Sequence, residues 1–376
     1  MLNDESGGAS KRVFFPRPAD SSNINAQAKN SQYILRHWTA RQVRPVTLSF
    51  NDTDPAIAAN PQVTIRRLRD DRLWRMSVYF EYMRPFDAVF CPGLHHLADW
   101  LALKTRALIG YPLPVIGTLE GLAAGFNDRQ REGFLSEVAG HQVYCYRIPD
   151  AVWRRSDEML RMSSRIIAIS PFLARLAKAL YGDKVDMVPL GVDVGLFRRV
   201  TFAPGPRLRV VGAGRVEPHK RPELFLDLAA KFPQADFAWF GDGEQRAKLI
   251  AESARRNLAN LQFPGALPSS RLAEAFKRSD IFLFPSLSEG VPKVTQEAAA
   301  AGLAQIIFGF YEAPTVAHGD NGFVVWSDEE LTERLDQLLG DRSLIEALGR
   351  KGMEMTKHWS WDLLAPQWER AIIGAL

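Results

Sequence analysis

Short runs of β-branched and aromatic residues return at intervals along the second half of the chain: Leu208–Val211, Phe237–Phe240, Ile281–Phe284, Ala304–Phe308 and Phe323–Val325. Between them the apolar spacing becomes helical. Leu272, Ala275 and Phe276 follow the i, i+3, i+4 rule, and Leu331, Leu335, Leu338 and Leu339 line one face of a second pattern. Strands alternating with helices at this pitch predict a parallel sheet covered by helices on both faces. The first half repeats the rhythm less regularly. Its candidate strands are Arg12–Phe15, Val46–Phe50, Val63–Arg66, Ala88–Cys91, Val115–Thr118, Ile166–Ile169 and Asp186–Val188. Its candidate helices include Ala26–Thr39, His95–Ile109 and Pro171–Tyr181. A chain of 376 residues is long enough for two such domains, and Gly191–Pro206, with Pro204, Gly205 and Pro206, reads as the hinge between them. Open parallel sheets bind ligands at the carboxyl ends of their strands, so the loops that follow strands carry the functional argument.

Composition narrows the function classes. With 46% apolar and 24% charged residues, the chain is neither disordered nor fibrous. A net charge of +4, scattered along the sequence, permits an anionic ligand, and no nucleic-acid-binding motif accompanies it. Cys91 and Cys145 both lie in apolar surroundings and predict buried free thiols in a reducing compartment. Met1–Lys11 lacks the apolar core of a signal peptide, and the longest apolar run, Ala298–Phe310, is shorter than the roughly 20 residues of a membrane span. The expectation is a soluble cytoplasmic protein.

Three loops of the second half stand out. Gly212-Ala213-Gly214-Arg215, followed by Lys220, offers close backbone approach and two cations, the requirements of a diphosphate. It lacks the helix entry of a GxGxxG fingerprint, which argues against NAD. Gly241-Asp242-Gly243-Glu244 is a tight turn before a helix. The third loop ends at Glu289, and Gly290 and Pro292 then open a helix near Pro292, whose free N–H groups favour an anion. Glu297, eight positions after Glu289, suits the hydroxyl groups of a sugar or ribose.

In this setting Glu289…Glu297 resembles the E-x7-E motif of retaining glycosyltransferases of glycosyltransferase family four, the "glycosyl transferases group 1". Ile166–Pro171, Val188–Asp193, Phe263-Pro264-Gly265 and Phe284-Pro285-Ser286 are similar to other segments of that family, over roughly Ile166 to Ala371. The resemblance implies the GT-B fold, an α/β architecture of two Rossmann-like domains facing a central cleft. It implies an acceptor-side domain over 1–190, a donor-binding domain over 191–357, and a terminal helix over 358–376, opened by Trp359-Ser360-Trp361, crossing back to the first domain. The reaction it implies is metal-independent sugar transfer from a nucleoside-diphosphate sugar to an acceptor hydroxyl, in glycan, glycolipid or surface-polysaccharide synthesis, with no further cofactor. In these roles Gly214, Arg215 and Lys220 bind the diphosphate, and Glu297 holds the ribose. Glu289, Gly290 and Val291 engage sugar and phosphate, and the backbone at Leu267 flanks the base.

The first domain departs from the family pattern. Its first loop, with Ser22 and Asn23 on the acceptor side, lacks glycine, and Glu120 stands where many members carry a catalytic His. Glu120 has three open roles: acceptor binding, general base, or a structural partner of an arginine. His95 follows another strand end and joins the acceptor-side candidates. Arg66–Met76 mixes five arginines with Leu, Trp and Met, which suits either a salt-bridged solvated face or an anionic membrane bearing a lipid-linked acceptor. The same motifs also fit a non-catalytic sugar-nucleotide-binding protein or a GT-B sugar-nucleotide epimerase.

Overall fold

The computed structural model describes residues 10–21, 26–69, 73–93, 96–202 and 205–376. Two parallel sheets organise the described residues. The first contains β1 (Lys11–Phe15), β2 (Val43–Ser49), β3 (Thr64–Arg67), β4 (Ala88–Cys91) and β5 (Val115–Leu119). A two-stranded ribbon, β6 (Ala123–Gly125) with β7 (Tyr146–Ile148), follows, and β8 (Arg165–Ala168) and β9 (Val185–Met187) complete the first sheet. The second sheet holds β10 (Arg209–Ala213), β11 (Asp236–Phe240), β12 (Leu261–Gly265), β13 (Ile281–Phe284), β14 (Ala304–Phe308) and β15 (Gly322–Val325).

The strand orders are β3-β2-β1-β4-β5-β8-β9 and β12-β11-β10-β13-β14-β15, and every neighbouring pair is parallel. Central strands such as β4, β13 and β14 are buried along their whole length, which explains why they read as continuous apolar runs. The covering helices are amphipathic and locally punctuated. Pro171–Tyr181 starts on Ser170, whose hydroxyl accepts from Leu173 N at 3.1 Å, and ends at Gly182, where φ is +79°. Phe172, Leu173 and Leu176 form its buried face. Both sheets are doubly wound. The chain reverses its winding between β1 and β4 and again between β10 and β13, and the loops after those strands diverge around a crevice.

Three strands carry no sequence signal. β6 and β7 are three residues long, and β12 contains Pro264, tolerated because β12 is an edge strand. The expected helix Ala26–Thr39 ends at Arg36, and the one expected from His95 begins at Leu97. The helix expected near Pro292 begins at Lys293, with Pro292 as its capping position.

The domains meet along two seams. On one, the helix Trp361–Gly374 crosses back to the first domain. Trp361 stacks on Tyr33 with ring centres 5.1 Å apart, and Glu369 accepts from the Thr39 backbone N–H at 2.8 Å. A Cβ on Gly191 would lie 2.5 Å from the Trp361 ring, so glycine lets the connecting segment pass close to it. On the other seam, Glu312 accepts from Arg175 at 2.7 Å and from His141 Nε2 at 2.8 Å. Cys91 and Cys145 are free and buried, and burial pushes both thiols up to about 12. Among the described residues no helix is long and apolar enough to cross a membrane.

Candidate functional site

The second-domain wall of the cleft forms at the β10/β13 switch point. Gly214 directly follows β10, and a Cβ on Gly241 would fall 1.8 Å from the Gly214 carbonyl oxygen. Glycine at 241, with φ +148°, therefore lets the turns after β10 and β11 touch. The first of these loops continues into the turn Pro218–Lys220. There the Lys220 ammonium lies 5.2 Å from the centre of the Phe284 ring and donates to Glu289, in the loop after β13. Ser286 Oγ donates to the same Glu289 oxygen at 2.7 Å. Lys220 and Glu289, 69 positions apart, thus form one partly buried pair. Arg215 does not join it: its guanidinium is largely exposed and pairs with Glu217 at 2.9 Å.

The helix Lys293–Ala300 opens immediately beyond Glu289. Lys293 and Glu297 share one face, one turn apart. Burial raises the Glu297 carboxyl, and the Lys293 ammonium opposes the rise. Burial also lowers the Lys293 amine, while Glu120 and Glu297 pull it back. Of the other donor-side candidates, Val291 is buried. Leu267 is half-buried beyond the edge strand β12.

Glu120 supplies the facing wall, directly after β5. Its carboxylate accepts from Asn30 Nδ2 and from Thr118 Oγ1, each at 3.1 Å. Burial raises its carboxyl, and Lys293 lowers it. No arginine pairs with it among the described residues, and its side-chain partners are Asn30 and Thr118. A Cβ on Gly290 would lie 2.1 Å from the Glu120 carbonyl oxygen, so the domains touch here and leave no room for a side chain at 290.

Tyr146 and His219 close the same gap, with ring centres 5.7 Å apart. Burial pushes the Tyr146 hydroxyl up to about 12, reinforced by Glu289. Burial and then Lys220 lower His219, which keeps its imidazole neutral. Sequence reasoning missed Tyr146, His219, Asn30, Ser286 and Lys293. Lys293 had a signal, a cation on the first turn of the helix whose opening was expected to favour an anion. Tyr146 had none, because its strand is too short to show a pattern. Ser22, Asn23 and His95 lie outside the described residues. Among the described residues no three His, Cys, Asp or Glu side chains gather as a metal site.

Two doubly wound parallel sheets facing each other, with a terminal helix returning to the first, define the GT-B class of fold. Anabaena HepE in complex with UDP-glucose shares it, with a TM-score of 0.68 over 98% of this chain and all of that one, at 16% identity. Residues 195–355 match the model of the family described as glycosyl transferases group 1. A D-inositol 3-phosphate glycosyltransferase of Segniliparus rotundus is 27% identical over 73% of this chain and 64% of its own. An alpha-galactosylglucosyldiacylglycerol synthase of Streptococcus pneumoniae is 29% identical over 49% of this chain and 48% of its own. The chain thus spans about half to two thirds of these relatives.

Proposed function

We propose that this chain transfers a sugar from a nucleoside-diphosphate sugar to an acceptor hydroxyl, with retention of anomeric configuration and without a metal ion. The observation that carries the reading is the pairing of Lys220 with Glu289 at the mouth of helix Lys293–Ala300, facing Glu120 and Tyr146 across the Gly290 contact. An ammonium has three donors, so Lys220 can hold Glu289 and a phosphate oxygen together. Arg215 at the lip and the N–H groups that open the helix complete an anion site on the leaving diphosphate, where negative charge develops. Glu297 takes the ribose hydroxyls, Glu289 the donor sugar, the backbone at Leu267 the base, and Glu120 the acceptor. As the anomeric C–O bond to phosphate breaks, the acceptor oxygen bonds to that carbon from the same face, and its proton passes to the departing phosphate.

UDP-sugars are the first donors to test, because HepE, of the same fold, has been seen with UDP-glucose. The names of the two relatives point to an inositol-phosphate or glycolipid type of acceptor. The buried free thiols accord with a cytoplasmic enzyme. A panel of nucleotide sugars should include one that, at 100 times its Kd, stabilises the protein by about 2.7 kcal/mol. Transfer from that donor should proceed with chelator present, and product NMR should show the donor's anomeric configuration. No stabilising donor sinks the reading; binding without transfer makes the chain a sugar-nucleotide binder.

The site also predicts a pH dependence. Hydroxyl donors bind the ionised Glu297 best, and burial raises its carboxyl to about 7. Affinity for a nucleotide sugar, whose diphosphate does not titrate in this range, should therefore rise from pH 6 to 8. Glu297→Gln should bind weakly throughout and lose the slope. The same slope in that variant would remove Glu297 from the donor site.

A further inference from the structure

The exposed apolar side chains of this protein concentrate on two helices of the first domain, Trp74–Tyr82 and Leu97–Leu108. The helices are clasped side by side. Tyr79 donates its hydroxyl proton to Thr105 Oγ1 at 2.9 Å, and Arg106 donates to the backbone oxygens of Tyr82 and Arg84, each at 2.8 Å. Their outward faces carry Met76 and Phe80 on one helix and Leu97, Leu101 and Leu108 on the other, with Phe80 60% and Leu108 88% exposed. The spacings i, i+4 and i, i+4, i+11 place each set on a single stripe. Contiguous exposed apolar stripes of this kind mark docking surfaces.

Charge decides the occupant. Residues 66–84 contain six arginines against three acidic residues, in a chain whose whole net charge is +4. Arg66 and Arg84 are held by the buried Glu81. Arg67 at the end of β3, Arg69 just after it, and Arg75 on the helix that carries Met76 and Phe80 are exposed. Lys104, on the second helix, is neutralised by Glu158. Both helices begin beyond the carboxyl ends of β3 and β4, the side from which the cleft opens. Aliphatic and aromatic side chains rimmed by arginine form the pattern of a helix lying in the headgroup region of an anionic bilayer.

We infer that the face formed by helices Trp74–Tyr82 and Leu97–Leu108 docks the protein on an anionic phospholipid surface, with the mouth of the cleft beside the headgroups. The surface acts independently of the donor site, so vesicle binding and sugar transfer can fail separately.

The test is sedimentation with vesicles of phosphatidylcholine alone and of phosphatidylcholine with phosphatidylglycerol. The protein should partition onto the anionic vesicles, bind the neutral ones weakly, and release as salt approaches about 1 M, where charges are screened beyond about 3 Å. Each cation near such a surface contributes about fivefold in partitioning, so an Arg67→Glu/Arg75→Glu double variant should lose at least tenfold. A Phe80→Ser/Leu108→Ser double variant should lose a similar factor while keeping the parent's thermal midpoint. All four positions lie on the surface, and the lipid and salt comparison on the unmodified protein decides even where a variant folds poorly. Absence of binding, equal binding to both vesicles, or binding unchanged in both variants would overturn the proposal. So would a concentration-dependent dimer abolished by the Phe80/Leu108 pair without vesicle binding, which would assign the face to a second copy.

Discussion

Lys220→Met is expected to weaken nucleotide-sugar binding about ten- to hundredfold, and transfer by at least as much. A hydrogen bond to a charged group contributes roughly 1.5–3 kcal/mol, and Lys220 is the cation held closest to the Glu289 loop. The substitution acts twice. In the proposed site it removes a phosphate donor, and it leaves the Glu289 carboxylate with Ser286 Oγ as its remaining hydrogen-bond donor, so that an unpaired negative group would face the diphosphate. Lys220→Arg keeps the charge and should recover part of the loss. Arg215→Ala should cost less, because its guanidinium is exposed and shared with Glu217. Calorimetric titration with the preferred nucleotide sugar gives the answer, and an affinity in Lys220→Met equal to the parent's would take Lys220 out of the donor site.

Trp361→Ala is expected to lower stability by about 3–5 kcal/mol, the range for truncating a buried aromatic. Trp361 is the pin of the seam between the domains. It stacks on Tyr33 of the first domain, lies against Gly191 of the connection, and Lys293 of the donor wall sits 5.9 Å from its ring centre. Its loss opens a cavity at the seam and loosens the placement of Lys293. Urea denaturation should show the midpoint falling. Gly191→Ala should fall as well, by the roughly 1–3 kcal/mol of overpacking. A midpoint unchanged in both variants would mean that the seam does not depend on this ring.

How much of this was legible before folding follows from where each signal resides. β13 and β14 are buried on both faces, so their identity is written into four or five consecutive apolar residues. Glu289, Gly290 and Glu297 lie within nine residues of one another, so a strand, a turn and a helix opening could be read together. Tyr146 gave no such sign, since a half-buried three-residue strand has no period to detect. The Arg66–Met76 segment was read as one basic stretch. The structure places Arg66 and Arg67 in β3 and Trp74, Arg75 and Met76 in the helix Trp74–Tyr82, and draws Arg66 away to Glu81, beyond the segment.

The sequence by itself determined the parallel sheets, their loops and the acidic and basic groups those loops carry, because strand and helix periodicities are local and repeat within a few residues. Only the tertiary structure decided which of those groups meet. Lys220 reaches Glu289 because β10 and β13 are neighbours across a switch point, although 69 positions separate the two residues. Glu120 faces Gly290 because two separate sheets close on each other, and Phe80 and Leu108 share a face because their helices pack side by side. Burial at that closure also sets the charges, raising Glu297 and lowering Lys293. Desolvation depends on what surrounds a group in space, and no window of consecutive residues contains that information.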